Sequence, residues 1–397
     1  MKIVRTSTIG LSLNIFCKGI FKELREEGYE VVALSSPDAE LAELGTREGI
    51  RTIGVEMSRK ISPLKDLKSL YRLVKVFRKE KPDIVHSITP KAGLLSMIAA
   101  KLTHVPVRLH TFTGLLFPTS QGFKRKLLLT TDRITCHCAT HVMAESQGVK
   151  ADLINNGVSR KEISVLGFGN IRGIDLEYYS LTPDVITQSS EIRKKLFGET
   201  DILENTGNKS FIFVFCGRFA SDKGIEYLID SFSELVNEGR NMKLIMAGDF
   251  DSDDPLRPET IDYIKNSRNI FLSGGWVKDV RHYLAAADAL VFPSKREGCP
   301  NVVIEAGALG LPSIVTDING SREIITDGIN GKIVPPNDAK ALTDAMRHFL
   351  EHKEETSKLA KSARKIIAEK YEQSFVRNNL KNYYKKILSQ VKSSYDS

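Results

Sequence analysis

The sequence lacks the long apolar stretch that a transmembrane helix requires. No run among its 397 residues approaches the ~20 apolar residues that span a bilayer. Residues 1–34 carry no small-residue cleavage pattern, and Lys18, Lys22 and Arg25 interrupt their apolar run. We therefore expect a strand, a loop, a helix and a second strand at the start of a cytoplasmic protein, and not a signal peptide.

Cysteine is also sparse, and its spacing excludes a disulfide framework. The five residues are odd in number and scattered, and Cys136-His137-Cys138 has no second ligand pair at zinc spacing. We expect all of them to be buried, reduced thiols: Cys17, Cys136, Cys138, Cys216 and Cys299.

Two further absences narrow the functional classes. No G-x-G-x-x-G follows the first strand, where residues 6–14 read TSTIGLSLN, which argues against a dinucleotide-dependent oxidoreductase. No aromatic-interleaved RNA signature or helix-turn-helix pattern is present, which argues against a nucleic-acid-binding protein.

The charge that is present is unevenly distributed. The chain carries a formal net charge of +8, yet residues 57–133 alone contain sixteen Lys and Arg against four Asp and Glu, a net +12. Such asymmetry predicts an anionic partner for the N-terminal half: a membrane surface, a nucleic acid or a phosphorylated substrate. Residues 115–129, LLFPTSQGFKRKLLL, fit either a segment lying in a membrane interface or an amphipathic helix covering a sheet.

Short β-rich runs alternate with helical patterns along the whole chain, which predicts an α/β protein with two doubly wound domains. The first series of strands is expected at 29–34, 83–88 and 105–112, and the second at 211–218, 242–248, 269–274, 289–293 and 312–316. Between the first two strands, one helix shows a stripe of apolar residues that we expect to be buried: Leu64, Leu67, Leu70, Leu73, Val74 and Phe77. Residues 181–210 are polar and predict the connection between the domains.

The segment FCGRFASDKG, residues 215–224, places two cations directly after a strand. Arg218 offers a planar fork to phosphate oxygens, Lys223 adds a point charge, and the amides of the helix that follows add positive potential. The spacing fits a diphosphate site that needs no metal ion. Taken alone, it fits a pair of surface cations equally well.

Two acids lie eight positions apart in KREGCPNVVIEA, residues 295–306. Asn301 is expected to cap a helix, so that Glu297 lies on the loop before it and Glu305 about one turn inside it. Carboxylates at that separation can hold hydroxyl groups at two parts of one elongated ligand, and Gly298 allows close backbone approach. Otherwise Glu305 is a helix-start acid and Glu297 a solvated loop acid.

A histidine ends a strand of the first domain in RLHTFTGLLFP, residues 108–118. His110 is a candidate hydrogen-bond donor to a sugar hydroxyl, and Gly114 permits a tight loop after it. His86 stands at a similar strand end and is the weaker candidate of the two.

The combination of Gly217-Arg218-x4-Lys223-Gly224 with Glu297-x7-Glu305 resembles the retaining glycosyltransferases of family 4. His110 and the Gly-Ile-Asp at 173–175 agree with this resemblance, which spans nearly the whole chain. It implies the GT-B fold, in which two Rossmann-like domains face each other across a cleft. The implied domains are an acceptor domain over 1–180, a donor domain over 211–375, and a C-terminal helix over 376–397 that packs on the first domain.

The resemblance also implies roles for residues. Arg218 and Lys223 would bind the donor diphosphate beside Gly217, Glu305 the ribose, and Glu297 the hexose together with the amides that follow it. The implied donor site therefore contains Gly298, Pro300, Asn301 and Val302, with Trp276 and Val277 bordering the nucleobase and His110 at the sugar.

The resemblance is strongest to enzymes that build capsule, O-antigen or lipid-linked oligosaccharides from UDP-hexoses or UDP-N-acetylhexosamines. It implies a metal-independent transferase without a cofactor, and an acceptor that is a saccharide or is linked to polyprenyl diphosphate. It also implies a cytoplasmic location, either in solution or docked on the inner membrane face. Two features depart from the family. Only Gly10 stands where a glycine pair is common on the acceptor side, and GNIRGID at 169–175 is longer than the usual motif.

No carboxylate near His110 is placed to act as a nucleophile, so we expect attack on the face that the leaving group vacates. A nucleotide-sugar epimerase of similar two-domain fold is the alternative. The loop DFDSDD, residues 249–254, contains Asp-x-Asp but has no histidine nearby, and we expect a solvated loop there instead of a metal site.

Overall fold

A computed structural model describes residues 1–197 and 210–395 of the chain. These residues form two compact units. Unit 1 comprises Met1–Gly173 and the described residues from Gln373 onward, and unit 2 comprises the described residues between Ile174 and Glu372. Each unit is built on one parallel sheet, so that both belong to the α/β class that the sequence predicts.

Unit 1 contains a seven-stranded parallel sheet in the order β3-β2-β1-β4-β5-β6-β7. Its strands are β1 (Lys2–Thr6), β2 (Glu30–Ser35), β3 (Arg51–Gly54), β4 (Ile84–Ile88), β5 (Val107–Phe112), β6 (His141–Ala144) and β7 (Ile163–Ser164). Its first helices are α1 (Gly10–Phe16), α2 (Ile20–Glu26), α3 (Ala39–Glu48), α4 (Pro63–Glu80), α5 (Pro90–Leu102), α6 (Gly122–Cys138) and α7 (Gln147–Asn155).

Unit 2 contains a six-stranded parallel sheet in the order β10-β9-β8-β11-β12-β13. Its strands are β8 (Phe211–Cys216), β9 (Met242–Ala247), β10 (Ile270–Leu272), β11 (Ala289–Phe292), β12 (Ser313–Thr316) and β13 (Gly331–Val334). Its helices are α8 (Pro183–Phe197), α9 (Ile225–Asn237), α10 (Pro258–Asn266), α11 (Arg281–Ala285), α12 (Asn301–Ala308), α13 (Ser321–Ile324), α14 (Ala339–Glu351) and α15 (Lys353–Tyr371).

The strands form where continuous β-branched and aromatic runs can be buried on both faces of a sheet. In β8 every residue from Phe211 to Cys216 is buried, and in unit 1 the neighbours Ile3 and Val4 belong to two different core clusters. Burial on both faces explains why these strands read as unbroken apolar runs. The first and last residues of each predicted strand fall within two positions of those of an observed strand.

The last helix, α16 (Gln373–Tyr395), returns to unit 1. Leu380, Tyr384 and Ile387 enter the core cluster that contains Ile3 and Phe21. On its polar side, Arg377 and Lys381 pair with Glu23 of α2 at 2.7 and 2.8 Å. Apolar burial and these ion pairs together fix the helix against the first sheet.

The boundary between the units differs from the predicted one. The first segment of unit 1 ends at Gly173 and not at residue 180, and α8 occupies part of the predicted connection. Ile192 and Leu196 of α8 belong to the core of unit 2, and Arg193 Nε donates to the Ala286 carbonyl at 2.8 Å. This helix is part of unit 2 because its apolar face has a core to pack on. The rest of the predicted connection, 198–209, lies outside the described residues.

Helix α4 is buried over only part of its predicted stripe. Leu73 and Phe77 are buried as expected, whereas Leu64 and Leu67 are 86% and 65% exposed. The buried face of α4 starts at Ser69, whose hydroxyl donates to the Glu56 carbonyl at 2.6 Å. The first two turns therefore present leucines to solvent, and the prediction that they are buried is wrong.

The five thiols agree with their prediction, because all are free and buried. Cys17, Cys136 and Cys138 lie in unit 1, and Cys216 and Cys299 lie in unit 2. Within the part of the chain that the structure describes, no helix is long and apolar enough to cross a membrane.

A buried carboxyl in α6 makes the stability of unit 1 depend on pH. Burial raises the pKa of Asp132 to about 7, above the ~3.9 of an aspartate in an unfolded chain. Between these values the native state binds a proton that the unfolded state has lost, so stability falls as pH rises from about 4 to 7.

We therefore expect Asp132→Asn to be more stable than the wild type at pH 8, by about 4 kcal/mol, and nearly equal to it at pH 4. Urea unfolding of both proteins at the two pH values measures the difference. The exposed Asp262→Asn is the control, with no change expected. An equal difference at both pH values would contradict the assignment.

Candidate functional site

The loops after β8 and β11 come together at the carboxyl edge of the second sheet, because β8 and β11 are neighbours in it. Lys223 lies on the first loop and Glu297 on the second. Lys223 Nζ and Glu297 Oε1 are 2.5 Å apart, and the Ser294 hydroxyl donates to the same carboxylate oxygen at 2.9 Å. The structure thus brings together one residue from each of the two predicted motifs.

Close backbone approach makes this arrangement possible. Gly224 adopts a φ of +70°, and a Cβ at this position would lie 2.0 Å from the Pro293 carbonyl oxygen. The Lys295 amide donates to the Asp222 carbonyl at 2.9 Å across the same junction. Thr316, at the end of β12, donates its hydroxyl to the Ser294 carbonyl. Short contacts therefore link the ends of β8, β11 and β12, and the one between Gly224 and Pro293 requires a glycine.

Arg218 lies on the same loop as Lys223, and its side chain is 43% exposed. It forms an ion pair with Asp251 of the loop after β9, and its Nη2 lies 3.6 Å from Asp222 Oδ2. Asp222 also receives a hydrogen bond from Arg296 Nη2 at 2.7 Å. The two predicted phosphate-binding cations are thus each paired with a carboxylate.

The loop DFDSDD is solvated in part, as the sequence predicts: Asp249, Ser252 and Asp253 are exposed, whereas Asp251 and Asp254 contact the loop after β8. Asp251 pairs with Arg218, the Ser221 amide donates to the Asp254 carbonyl at 3.2 Å, and the Asp222 amide donates to Asp254 Oδ2 at 2.8 Å. Among the residues that the structure describes, no group of three or more His, Cys, Asp or Glu side chains is placed to hold a metal ion. The loop braces the segment that carries the cations.

Glu305 lies about one turn inside α12, as the sequence predicts, and its side chain is buried. Its Oε1 accepts a hydrogen bond from the Tyr179 hydroxyl at 2.7 Å. The helix begins one residue earlier than expected: Pro300 is the N-cap and Asn301 is the first helical residue. Pro300 has extended φ and ψ angles of −70° and 112°, and because its side chain has no hydrogen-bond acceptor, the cap forms no side-chain hydrogen bond.

The segment around Gly298 is pressed against the start of α13. A Cβ on Gly320 would meet the Gly298 carbonyl oxygen at 2.4 Å and Cys299 Cα at 2.7 Å. Val302, on the first turn of α12, packs against the core of unit 2. Gly217 follows β8 with a φ of +152°, and its amide donates to the Ala247 carbonyl at 2.9 Å.

Trp276 and Val277 follow β10 on the same edge of the sheet. Trp276 is 60% exposed, whereas Val277 packs partly against the core. Ser273 links their loop to the loop after β9, because its hydroxyl accepts from the Gly248 amide at 3.0 Å and donates to the Gly275 carbonyl at 2.9 Å. A large aromatic face therefore stands in solvent two strands from Arg218.

In unit 1, His110 is buried in β5 near its carboxyl end. Its Nδ1 lies 2.8 Å from the Ser87 hydroxyl, and its ring meets Phe112 edge-on at 4.5 Å. A Cβ on Gly93 would lie 2.4 Å from His110 Cε1, so the ring rests on the bare backbone of α5. Burial lowers the pKa of His110 to about 3. The imidazole is therefore neutral at physiological pH and can form hydrogen bonds without carrying charge.

His86 has a structural environment. Its Nδ1 lies 2.6 Å from the Tyr384 hydroxyl and 2.9 Å from Arg5 Nη1, and its Nε2 lies 2.7 Å from the Thr111 hydroxyl. All of these groups are buried, and His86 thus helps to attach α16 to the first sheet.

Gly10, expected on an acceptor-side loop, begins α1. Its amide donates to Asp38 Oδ2 at 2.8 Å, while Asp38 Oδ1 caps α3 through the Leu41 amide at 2.8 Å. A Cβ on Gly10 would lie 2.1 Å from Asp38 Oδ1. The contact between α1 and the cap of α3 therefore requires a glycine at this position.

Four residues at the edge of the second sheet were not found from the sequence: Tyr179, Asp222, Asp251 and Arg296. Tyr179 precedes the second sheet by more than thirty residues, so no motif spacing indicates it. Asp222 and Arg296 lie inside the two quoted motifs, and their opposite charges were the available signal.

The geometry of unit 2 offers a candidate site for an anion. Arg218 and Lys223 lie on one loop, and Gly224 is the N-cap of α9, which places the first amides of that helix nearby. Two side-chain cations and a helix N-terminus suit the oxygens of a diphosphate.

Two family models match the chain. "Glycosyl transferase 4-like domain" matches residues 14–169, and "Glycosyl transferases group 1" matches residues 200–366. The chain is 31% identical over 390 residues, 98% of both chains, to the capsular polysaccharide biosynthesis glycosyltransferase CapM of Staphylococcus aureus. It is 29% identical over 294 residues to an Escherichia coli UDP-Gal:alpha-D-GlcNAc-diphosphoundecaprenol alpha-1,3-galactosyltransferase, covering 73% of this chain and 72% of that one.

Among solved structures, HepE of Anabaena in complex with UDP-glucose superimposes with a TM-score of 0.78. The match covers 97% of this chain and 100% of the other at 19% sequence identity. At that identity the likeness shows a shared fold.

Gly224 offers a direct test of the strand-end geometry. We expect Gly224→Ala to lower the melting temperature more than Gly239→Ala does. Both glycines flank α9 with positive φ, +70° and +78°, so both substitutions carry the left-handed backbone cost of about 1 kcal/mol. Only Gly224 also faces a carbonyl oxygen at 2.0 Å, whereas Gly239 has no atom within 4 Å of its added Cβ. Equal melting temperatures for the two variants would contradict the proposed close approach.

Proposed function

The chain belongs to the GT-B glycosyltransferases of the family 4 type, and from this membership we propose that it is a retaining hexosyltransferase. It moves a hexose or N-acetylhexosamine from a UDP-sugar to a saccharide acceptor that is linked to a lipid, in the synthesis of a surface polysaccharide. The relatives from S. aureus and E. coli, whose names state capsule synthesis and a diphosphoundecaprenol acceptor, support this substrate class.

The single observation that carries the proposal is the pairing of Lys223 with Glu297 beside Arg218. These side chains lie at one edge of the second sheet, where parallel α/β sheets bind their ligands, and we assign the two cations to the diphosphate and Glu297 to the sugar. In the proposed complex, Glu305 accepts hydrogen bonds from the ribose, and Trp276 and Val277 border the uracil. Gly298, Pro300, Asn301 and Val302 provide the backbone next to the hexose, and Gly217 lets the chain turn beside the diphosphate.

The proposed reaction breaks the bond between C1 of the sugar and the diphosphate oxygen, and forms a bond from C1 to the acceptor oxygen. The bonding electrons leave with the diphosphate, whose growing negative charge Arg218 and Lys223 stabilise electrostatically. The acceptor proton passes to the departing phosphate, and attack on the same face retains the configuration at C1. His110 donates or accepts a hydrogen bond as a neutral imidazole, because its pKa of about 3 keeps it uncharged. No step in this scheme uses a metal ion.

We expect UDP to bind the wild type and Arg218→Ala to weaken that binding by about 1.5–3 kcal/mol, the value of a hydrogen bond to a charged group. Glu305→Ala should weaken UDP binding while leaving inorganic diphosphate binding unchanged. Isothermal calorimetry measures both effects, and Arg257→Ala, an exposed arginine paired with Asp230, is the control.

Unchanged UDP affinity in Arg218→Ala would contradict the site assignment. For the reaction, proton NMR of the product should show the donor's anomeric configuration, and activity should persist in a chelator. Inversion at C1 would rule out the same-face mechanism.

We further propose that unit 1 docks on an anionic membrane surface, where a lipid-linked acceptor resides. The first turns of α4 and the loop before it expose Ile61, Leu64, Leu67 and Tyr71, at 62–86% exposure. Exposed cations lie among them: Arg59, Lys60, Lys65 and Lys68. Apolar side chains surrounded by lysines suit a helix that lies in a lipid headgroup region.

Helix α6 adds a second element on the same side of the first sheet, since α5 packs against both α4 and α6. Phe123, at its start, is 81% exposed, and Lys124 and Lys126 beside it are also exposed. The predicted interfacial segment at 115–129 thus contributes its central part, while Leu129 is buried in the core.

We expect Leu64→Gln with Leu67→Gln to reduce binding to vesicles containing phosphatidylglycerol by about tenfold, because two apolar side chains no longer enter the interface. Vesicle flotation at two salt concentrations measures the partition. The matched control is Ile186→Gln with Ile329→Gln, which removes two exposed isoleucines from unit 2. Binding that is equal in both double variants, or absent in the wild type at every salt concentration, would contradict membrane docking.

A further inference from the structure

The cations of the candidate anion site in unit 2 are already paired with carboxylates of the protein. Arg218 is paired with Asp251 and approached by Asp222, Lys223 is paired with Glu297, and Arg296 is paired with Asp222. These three cations and three carboxylates leave the group close to neutral. A diphosphate that enters must therefore replace a carboxylate, and cannot simply neutralise free positive charge.

Asp251 is the carboxylate best placed to be replaced. Its backbone amide donates to the Phe219 carbonyl at 3.1 Å, and its Oδ1 accepts from the Asp253 amide at 2.8 Å. The loop is also fixed through Asp254, which accepts hydrogen bonds from the amides of Ser221 and Asp222. The Asp251 side chain therefore has an anchor that does not depend on Arg218.

The other partner is the more adaptable one. The Arg218 side chain is long and 43% exposed, whereas the Asp251 side chain is 18% exposed. The Asp253 amide, aided by the Arg218 guanidinium, holds the pKa of Asp251 below its usual range, so this carboxyl stays ionised near neutral pH. The pair can open by rotation of the arginine while the aspartate stays in position.

We propose that Asp251 is a resident counterion that competes with the diphosphate for Arg218, and so sets the affinity and the release rate of the nucleoside diphosphate. This inference rests on the proposed function for the identity of the ligand. While the site is empty, Asp251 neutralises Arg218. When a diphosphate binds, the guanidinium turns to it, and when the product leaves, Asp251 recaptures the guanidinium.

The sign of the change in diphosphate affinity distinguishes competition by Asp251 from a supporting role. If Asp251 competes, its neutralisation tightens the binding of any ligand that carries a diphosphate. If Asp251 instead holds Arg218 in the orientation that the ligand needs, the same change weakens binding. Asn is the appropriate replacement because its side-chain oxygen can still accept the hydrogen bond from the Asp253 amide.

The experiment compares Asp251→Asn with Asp249→Asn by calorimetry, using UDP, inorganic diphosphate and uridine as probes. Asp249 lies in the same loop, is exposed, and accepts a hydrogen bond from the Phe250 amide, so its replacement changes the loop charge equally. We expect Asp251→Asn to bind UDP and diphosphate about fivefold more tightly, the equivalent of ~1 kcal/mol for a partly exposed ion pair. Uridine affinity should not change, and Asp249→Asn should resemble the wild type.

A double-mutant cycle with Arg218→Ala completes the test. Asp251→Asn should have no effect on diphosphate affinity once Arg218 is absent, because the pair is then already broken. In stopped-flow displacement, UDP should dissociate more slowly from Asp251→Asn than from the wild type. Added salt should reduce the difference between them.

Weaker or unchanged UDP and diphosphate binding in Asp251→Asn would overturn the inference, as would an equal gain in Asp249→Asn. Failure of the proposed function gives a different result. A wild type that binds diphosphate but not UDP would contradict the UDP-sugar donor, while the diphosphate measurements would still decide the role of Asp251. A wild type that binds neither would overturn both proposals.

Discussion

The ion pair between Lys223 and Glu297 joins the two loops on which the site of unit 2 depends. It can form because β8 and β11 are adjacent in the sheet, and because Gly224 lets the first loop pass against the Pro293 carbonyl. The Ser294 hydroxyl and the end of β12 add further links to the same junction. The site is therefore held together by backbone proximity at strand ends, and its charged side chains extend from that fixed base.

Electrostatic balance is the second constraint on the site. Unpaired cations that lie close together on a folded surface repel one another and bind anions with little selectivity. Here the guanidinium of Arg218 and the ammonium of Lys223 are matched by Asp251 and Glu297 from neighbouring loops. If the proposed function holds, a diphosphate replaces these carboxylates, and contacts to the sugar and the nucleoside supply the selectivity.

The sequence predicts most of the fold and one half of the site. Parallel strands that are buried on both faces are continuous apolar runs, and cations after β8 and acids around α12 are visible as local motifs. Contacts that depend on distant segments are not visible in this way. Tyr179 reaches Glu305 across 126 positions, and Asp251 reaches Arg218 across 33. Periodicity also cannot show where a helix stops touching its neighbours, which is why Leu64 and Leu67 of α4 were expected to be buried.

Because all five thiols are buried, their reaction with a cysteine reagent reports the opening of the unit in which each lies. A fluorophore that reacts with cysteine has no accessible target in the folded chain, so a single cysteine introduced at an exposed position can be labelled without first removing the native ones. Labelling of the native thiols would instead require the surrounding structure to open. Because three of them lie in unit 1 and two in unit 2, peptide mapping of the modified residues can separate the opening of one unit from that of the other.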